Sequence, residues 1–318
     1  MNPILETTRF VVDNSKKVKI NKDKIGAFCS TFTSEHQKHW WKAAPQDLSK
    51  FNKEQKLQFL FLFNAISFCY WGEPKWTVEY NAKQFDGSWG MITALARAVD
   101  EQKSIFDAHY LAAISKDEFA HLLRANNPIP LLEERWKIIR EVGTVLLKKY
   151  NGELKNVIKE ANNDALQLLN IIINNFPSFA DSEMYKGKKI FFHKRAQLLV
   201  GDVYNIFQGK SYGTLKNTEE LTACADYKLP FALRKRGILS YTHNVAQKND
   251  SKQIIEKGSE TEIEIRANTI WAVELIRQEL KKRIPDITAT HINDHLWLTT
   301  QEKSAEDKPY HRTITTSY

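Results

Sequence analysis

Cysteine and glycine are scarce in this chain of 318 residues, and each scarcity argues against a class of site. The three cysteines, Cys29, Cys69 and Cys224, include no CxxC pair and are too few for a disulfide framework. The twelve glycines form no GxGxxG or GxxxxGK(S/T) motif, which argues against a Rossmann or P-loop nucleotide site. A glycine-rich hairpin of the kind that grips DNA phosphates through backbone amides is also missing. Duplex DNA is therefore disfavoured as a substrate.

The sequence also lacks a long hydrophobic run. Its most apolar segment, residues 57–71, is interrupted by Asn64 and is too short to span a bilayer. The N-terminal stretch carries Glu6 and Arg9 where a secretory signal would have its apolar core. We therefore expect a soluble, cytoplasmic protein in a reducing compartment, with no membrane partner.

What the chain does have is a large apolar fraction and an excess of basic residues. Hydrophobic residues make up 42% of the sequence and aromatic residues 11%, which is ample for a folded core and argues against disorder. The formal net charge is +8, in scattered clusters such as residues 186–189 and 234–236. Scattered clusters are typical of a solvated basic surface, and only weakly indicate an anionic partner such as a nucleotide or nucleic acid.

The hydrophobic pattern is mostly helical. Apolar residues at helical spacing predict helices that include residues 53–70, 129–150, 188–208 and 260–283. Residues 76–87 alternate enough to predict a small β-hairpin, with Asp86 and Gly87 as its turn. Short connections favour a mostly α fold in which residues 1–318 form one compact body, or two helical lobes with a pocket between them.

Nine histidines raise the possibility of a metal site. His36 and His39 are three residues apart, and His291 and His295 are four apart, so each pair could share a helix face. Neither pair lies in the HExxH context that makes such spacing specific. We therefore expect neither a metal ion nor another cofactor.

Asp226 is a candidate for chemistry because it precedes a short helix that we expect Pro230 to open. The positive N-terminal end of that helix would favour the ionised carboxylate. A fixed carboxylate in a desolvated pocket can polarise water or stabilise positive charge that develops on a sugar. Considered alone, however, an aspartate at this place is more often a cap or a turn residue.

Cationic side chains that could meet an anionic substrate occur in two further segments. In FFHKRAQLLVGDVYNIF, Arg195 and Asp202 lie two helical turns apart and could form an ion pair, which would leave Lys194 free for an anion. In the tail PYHRTITTSY, alternating residues predict a segment that packs back on the body and presents His311 and Arg312 as a cation pair.

Several blocks of this sequence resemble the signature blocks of the queuosine salvage protein family. Four of them occur in the family's order: FFHKRAQLLVGDVY, LTACADYKLPFALRKRGILSY, EIEIRANTIWAVELIRQEL and PYHRTITTSY. Upstream, the similar blocks are NAISFCYW, GSWGMITALARA, IPLLEERW and FPSFADSEMYKGKKI. The resemblance implies a helical fold like that of helix-hairpin-helix DNA glycosylases, without action on DNA. The activity it implies is hydrolysis of the N-glycosidic bond of queuosine 5′-phosphate, which releases queuine for salvage into tRNA.

The resemblance also implies roles for individual residues. The ADY motif places the catalytic aspartate at Asp226, and the KRAQ block places Lys194 beside the ribose 5-phosphate as a second catalytic residue. His39 matches a base-contacting histidine. The other substrate-binding candidates are Cys224, Tyr227, Asn293, Asp294, Trp297 and Leu298, and the phosphate-binding candidates are Lys194, His311 and Arg312.

Three positions depart from the family pattern. Cys224 stands where an aromatic residue is usual, and Asn293 and Leu298 stand where the LDYYLWD-type block has aspartates. These changes leave open a preference for another 7-deazaguanine nucleotide or for the nucleoside. They also leave open a protein that binds a modified nucleotide or tRNA without catalysis. We expect a small-molecule nucleotide as the partner, no stable nucleic-acid complex, and a monomer.

Overall fold

The computed structural model describes residues 2–302 and 304–318, and these residues are mostly helical. They form fourteen α-helices: α1 (Pro3–Asn14), α2 (Lys22–Thr31), α3 (Lys53–Ala65), α4 (Gly87–Asp100), α5 (Ala108–Ala113), α6 (Lys116–Leu122), α7 (Leu132–Tyr150), α8 (Leu154–Glu160), α9 (Ala165–Asn175), α10 (Lys194–Ile206), α11 (Lys228–Lys235), α12 (His243–Asp250), α13 (Glu260–Leu280) and α14 (Ala289–Thr299). The mostly α prediction is confirmed. None of the helices in the described part of the chain combines the length and hydrophobicity needed to cross a bilayer.

Six short strands form three antiparallel pairs in the described residues: β1 (Val18–Ile20) with β6 (Leu239–Tyr241), β2 (Thr77–Tyr80) with β3 (Lys83–Asp86), and β4 (Ser182–Tyr185) with β5 (Lys188–Phe191). The predicted hairpin at residues 76–87 is confirmed, but its predicted turn is wrong. Asn81 and Ala82 make the turn, with φ values of 50° and 56°, because a two-residue hairpin loop favours left-handed backbone at both positions. Gly87 instead adopts a φ of 57° where β3 runs into α4.

The helix predicted for residues 188–208 begins too early. Residues 188–191 form β5, which pairs with β4, and α10 starts only at Lys194. His193, with a φ of 48°, separates the two elements. An apolar run of this length fits a strand or a helix equally well, and the pairing with β4 decides between them.

The buried apolar side chains form two clusters. The first is centred on α3, whose residues 57–65 are all buried, and it includes Phe63. The second is built from α2, α11 and α14 and includes Leu229. Helix α13 contributes to both clusters, with Ile263 in the first and Ile265 in the second, and Trp297 packs against both. Helix α13 is buried on most of its surface, as its central place requires, and it carries polar as well as apolar side chains into the interior.

Candidate active site

A cavity lies between the two clusters and has two adjoining lobes, which span about 380 Å³ and 440 Å³ when the open solvent at their mouths is included. The lobes share five lining residues: Ser67, Ser88, Lys194, Asp226 and Trp297. The first lobe is completed by Trp40, Phe63, Leu198, Cys224, Leu229, Asn293 and Asp294. The second is completed by Phe68, Tyr70, Asp86, Gly87, Trp89, Tyr227, Lys228, Gln301 and Tyr318. The two residues that the sequence singled out for catalysis, Lys194 and Asp226, therefore lie where the lobes meet.

Asp226 caps the helix that follows it and lines the cavity at the same time. Its Oδ1 accepts hydrogen bonds from the backbone N–H groups of Lys228 at 2.8 Å and Leu229 at 3.1 Å. Helix α11 begins at Lys228, two residues earlier than the expected start at Pro230. No described residue donates a hydrogen bond to Oδ2 of Asp226, although the residue is only 8% exposed. The cap fixes the carboxylate and leaves this oxygen available to a ligand.

Lys194 is the first residue of α10 and is held by Asp181. The Asp181 carbonyl accepts from the N–H of His193 at 3.1 Å, and its Oδ2 accepts from the N–H of Lys194 at 3.2 Å. The Lys194 residue is only 6% exposed, and its ammonium makes no hydrogen bond or ion pair with any described residue. A buried cation without a partner is costly, so an anionic ligand would stabilise it.

Arg266, on α13, connects the segments that carry Lys194 and Asp226. Its guanidinium donates to Asp181 through two hydrogen bonds of 2.9 Å and 2.6 Å, and its Nε donates to the carbonyl of Ala225 at 3.2 Å. Burial alone would raise the pKa of Asp181, but the charge and hydrogen bonds of Arg266 keep that pKa below its ordinary value. The sequence analysis assigned no role to Arg266 or Asp181. The position of an arginine among the apolar residues of α13 was a signal that could have drawn attention to Arg266.

His39 lies between two carboxylates, and of these three residues only Asp294 lines the first lobe. His39 Nε2 is 3.5 Å from Asp202 Oδ1 and 3.5 Å from Asp294 Oδ2. Burial, with a smaller contribution from the nearby charge of Asp202, raises the pKa of Asp294 to about 6 against the opposing effect of His39. The group offers both donors and acceptors, which suits the polar edge of a heterocycle.

Three tryptophans form an aromatic wall along the cavity. The ring of Trp297 lies 5.3 Å from Trp40 and 5.1 Å from Trp89, centroid to centroid, and the Trp40 and Trp89 rings are 5.4 Å apart. Such a wall is suited to contact with a flat base. Trp40 also donates through Nε1 to Asp202 at 2.9 Å, which links the wall to the His39 group.

Comparison with known proteins shows the family of this chain. The family whose sequence pattern matches residues 48–318 is described as queuosine salvage protein. The chain belongs to the queuosine salvage protein family. A relative from Sphaerobacter thermophilus is 36% identical over 99% of this chain and 97% of its own length. One from Bos taurus is 32% identical over 97% of this chain and 96% of its own length, and one from Dictyostelium discoideum is 31% identical over the whole of both. All three are named queuosine 5′-phosphate N-glycosylase/hydrolase.

The structure brings most of the family-implied residues to the cavity. Cys224, Asn293, Asp294 and Trp297 line the first lobe, and Tyr227 lines the second. Leu298 is not among the lining residues and instead packs against the first apolar cluster.

Asn293 lines the first lobe with its side-chain amide already engaged. Its Oδ1 accepts from the N–H of Cys224 at 2.9 Å, and its Nδ2 donates to Asp294 at 3.0 Å. Asn293 departs from the family pattern, and its side-chain amide therefore stabilises the neighbouring wall of the cavity.

The predicted ion pair between Arg195 and Asp202 is wrong. The Arg195 guanidinium donates to the carbonyls of Ala65 and Ser178. Asp202 accepts from Trp40 and from Asn64 Nδ2, the latter at 2.9 Å. Each side chain finds its partners on neighbouring segments, which spacing within one helix does not reveal. Asp202 is thus a fully buried neighbour of His39 whose partners the sequence analysis misjudged.

The tail packs on the body as predicted, but it does not bring a cation pair to the cavity. His311 is 2% exposed, and burial lowers its pKa to about 3. Its Nε2 lies 3.3 Å from the hydroxyl of Tyr318. Arg312 pairs with Glu73, and neither His311 nor Arg312 is among the residues that line either lobe. Tyr318 is the tail residue that reaches the second lobe.

The histidine pairs considered for metal binding separate in space. His36 packs its ring against His295 at 4.6 Å between centroids, whereas His39 lies between the carboxylates of Asp202 and Asp294. Within residues 2–302 and 304–318, no group of three or more His, Cys, Asp or Glu side chains is arranged to hold a metal ion.

Proposed function

We propose that this protein hydrolyses the N-glycosidic bond of queuosine 5′-phosphate and releases queuine for salvage into tRNA. Relatives that carry this activity in their names are 31–36% identical to the chain over nearly its full length. The observation that carries the proposal is the placement of Asp226 and Lys194, both buried, at the junction of the two lobes. A cation and an anion at that junction suit a substrate with a phosphate on one side of its reacting carbon.

The chemistry follows from the charge that develops during cleavage. When the bond between C1′ and the base nitrogen breaks, its electron pair leaves with the base and positive charge builds on the ribose. A fixed carboxylate near C1′ stabilises this transition state more than the ground state. Asp226 suits this role because the backbone N–H groups of Lys228 and Leu229 hold its carboxyl group in place. Over the whole reaction one water molecule supplies the hydroxyl group that ends on C1′ and the proton that the departing base nitrogen takes up, which completes the hydrolysis.

The first lobe suits the base. Trp40 and Trp297 offer rings for stacking there, and Asp294, with His39 beside it, offers a carboxyl group for the polar edge of the base. Lys194 suits the phosphate side, where a buried ammonium would gain an anionic partner. The departures at Cys224 and Asn293 leave these features in place.

The finer architectural predictions stay predictions. These are the likeness to helix-hairpin-helix DNA glycosylases, the single domain over residues 1–318 and the monomer. Size-exclusion chromatography with light scattering would test the last of them.

One assay tests the proposed function. The purified protein is incubated separately with queuosine 5′-phosphate, queuosine and guanosine monophosphate, and free base is quantified by chromatography. We expect rapid release of queuine from queuosine 5′-phosphate and little release from guanosine monophosphate, with the Asp226→Asn variant as the inactive control. Binding of queuosine 5′-phosphate without release of base would instead support a non-catalytic binding protein.

A further inference from the structure

The tail residue Tyr318 contacts both the cavity and the buried side chain of Arg266. It lines the second lobe and is only 2% exposed. The guanidinium carbon of Arg266 lies over the Tyr318 ring, 4.5 Å from its centroid. Neither Arg266 nor its partner Asp181 lines either lobe. Tyr318 is thus a wall residue of the cavity whose ring also covers the group that ties the two site segments together.

The Arg266 guanidinium is held by two kinds of contact. A guanidinium is planar, so that it donates hydrogen bonds within its plane and packs its flat faces on aromatic rings. Within the plane, Arg266 donates to the carboxylate of Asp181 and to the carbonyl of Ala225. It also lies over the rings of Phe192, at 3.9 Å, and Tyr318, at 4.5 Å. The hydrogen bonds set the direction of the guanidinium, and the rings oppose its tilting.

The Tyr318 ring is itself fixed at both ends. Its backbone carbonyl accepts a hydrogen bond from the N–H of Cys69 at 2.8 Å, and its hydroxyl lies 3.3 Å from Nε2 of His311. Burial raises the pKa of Tyr318 well above its ordinary value and lowers the pKa of His311 to about 3. Both side chains are therefore uncharged at neutral pH, and neither competes as an ion with the carboxylate that binds Arg266.

We propose that Tyr318 is a positioning residue, because its ring holds the Arg266 guanidinium in the orientation that places Lys194 and Asp226. Without this ring the guanidinium can tilt, and its hydrogen bonds to the segments that carry these two residues then lengthen. A shift of about 1 Å in reacting groups can lower a rate about a hundredfold. The inference rests on the proposed function for the identity of the reaction, whereas the placement itself can be measured without it.

A kinetic test compares Tyr318→Leu with Tyr318→Phe. Leucine is apolar but has no ring, whereas phenylalanine keeps the ring and loses only the hydroxyl. We expect Tyr318→Leu to lower kcat for queuosine 5′-phosphate by at least about tenfold while KM changes by less than about threefold, and Tyr318→Phe to recover most of that loss. An unchanged kcat in Tyr318→Leu, or equal losses in the two variants, would overturn the inference. A rise in KM larger than the fall in kcat would overturn it as well, because the ring would then act by contact with the substrate.

A second test needs no catalysis and follows amide hydrogen exchange by mass spectrometry in the same two variants. The informative peptides cover residues 192–198 and 224–230, since these contain the N–H groups of Lys194, Lys228 and Leu229. We expect exchange in both peptides to be at least about tenfold faster in Tyr318→Leu than in Tyr318→Phe. Peptides from α7 serve as the internal control and should exchange at the same rate in the two variants.

The outcomes of the exchange experiment separate the inference from the proposed function. Equal exchange of the two site peptides in both variants would overturn the inference, whether or not the protein hydrolyses the nucleotide. Exchange that became faster in α7 to the same extent would also overturn it, because Tyr318 would then stabilise the whole fold rather than the site. If exchange responded as expected but the unmodified protein released no base, the positioning role would stand and the proposed function would fail.

Discussion

Arg266 and Asp181 form a bidentate ion pair in which the two side chains are 0% and 4% exposed. The guanidinium and the carboxylate each hold one of the segments on which the proposed chemistry depends. Arg266 binds the carbonyl of Ala225, next to Asp226, and Asp181 binds the N–H of Lys194. The pair therefore sets the distance between the carboxylate and the ammonium at the junction of the lobes.

The first prediction concerns the stability that this pair provides. Asp181→Asn removes the bidentate carboxylate partner of the buried Arg266 and leaves Glu262, 3.5 Å away, as its remaining acidic neighbour, and we expect the free energy of unfolding to fall by about 3 kcal/mol. Urea denaturation measures this change. The matched control is Asp13→Asn, which breaks the exposed pair with Arg9 and should cost less than about 0.5 kcal/mol. Similar losses in the two variants would contradict the structural role of the pair.

A second prediction separates the two roles of Asp226. Asn retains an oxygen that can accept the hydrogen bonds from Lys228 and Leu229, so Asp226→Asn should fold with nearly the stability of the unmodified protein. It loses the negative charge, and kcat should fall by at least about a hundredfold. Asp226→Ala should lose the cap as well, at a cost of about 1 kcal/mol in stability. An unchanged kcat in Asp226→Asn would remove this carboxylate from the mechanism.

A third prediction follows from the raised pKa of Asp294. The folded protein keeps the proton of this carboxyl up to a pH of about 6, whereas the unfolded chain releases it near about 4. Its contribution to stability therefore falls as the pH rises through that window, because the ionised form is disfavoured in the folded state. Asp202 and His39 face this carboxyl and set the size of the effect.

Asp294→Asn removes this titration. Relative to the unmodified protein, the variant should gain up to about 2 kcal/mol of stability as the pH rises from about 4 to about 7. Denaturation curves at a series of pH values give the difference between the two proteins. A difference that stays constant across the series would show that the Asp294 carboxyl titrates alike in the folded and unfolded states.

The fourth prediction concerns the aromatic wall. Trp297→Ala removes the ring that contacts Trp40 and Trp89, and the loss of base stacking should raise KM by roughly tenfold or more. Steady-state kinetics with queuosine 5′-phosphate measures the effect. Trp297→Phe keeps an aromatic face and should have a clearly smaller effect on KM. If the two variants raised KM equally, stacking on this ring would not explain substrate binding.

The elements that sequence reasoning predicted well are those with local causes. Helix α7 was predicted at residues 129–150 and begins at Leu132, and α13 was predicted at 260–283 and ends at Leu280. A repeat of apolar residues every three or four positions can be recognised within a short window of sequence. The helix that follows Asp226 could be predicted in the same way. Family membership was predictable for the same reason, since each signature block is a short, continuous stretch.

What the sequence by itself determined was the helical class, the family and the candidacy of Asp226 and Lys194. Only the tertiary structure decided which side chains meet: Arg266 binds Asp181 across 85 positions, and His39 lies between Asp202 and Asp294. It also decided that Arg195 turns away from Asp202 and that His311 is buried behind Tyr318. Charged side chains pair with whichever partner packing brings nearest, and residues distant in sequence can supply that partner as readily as near ones.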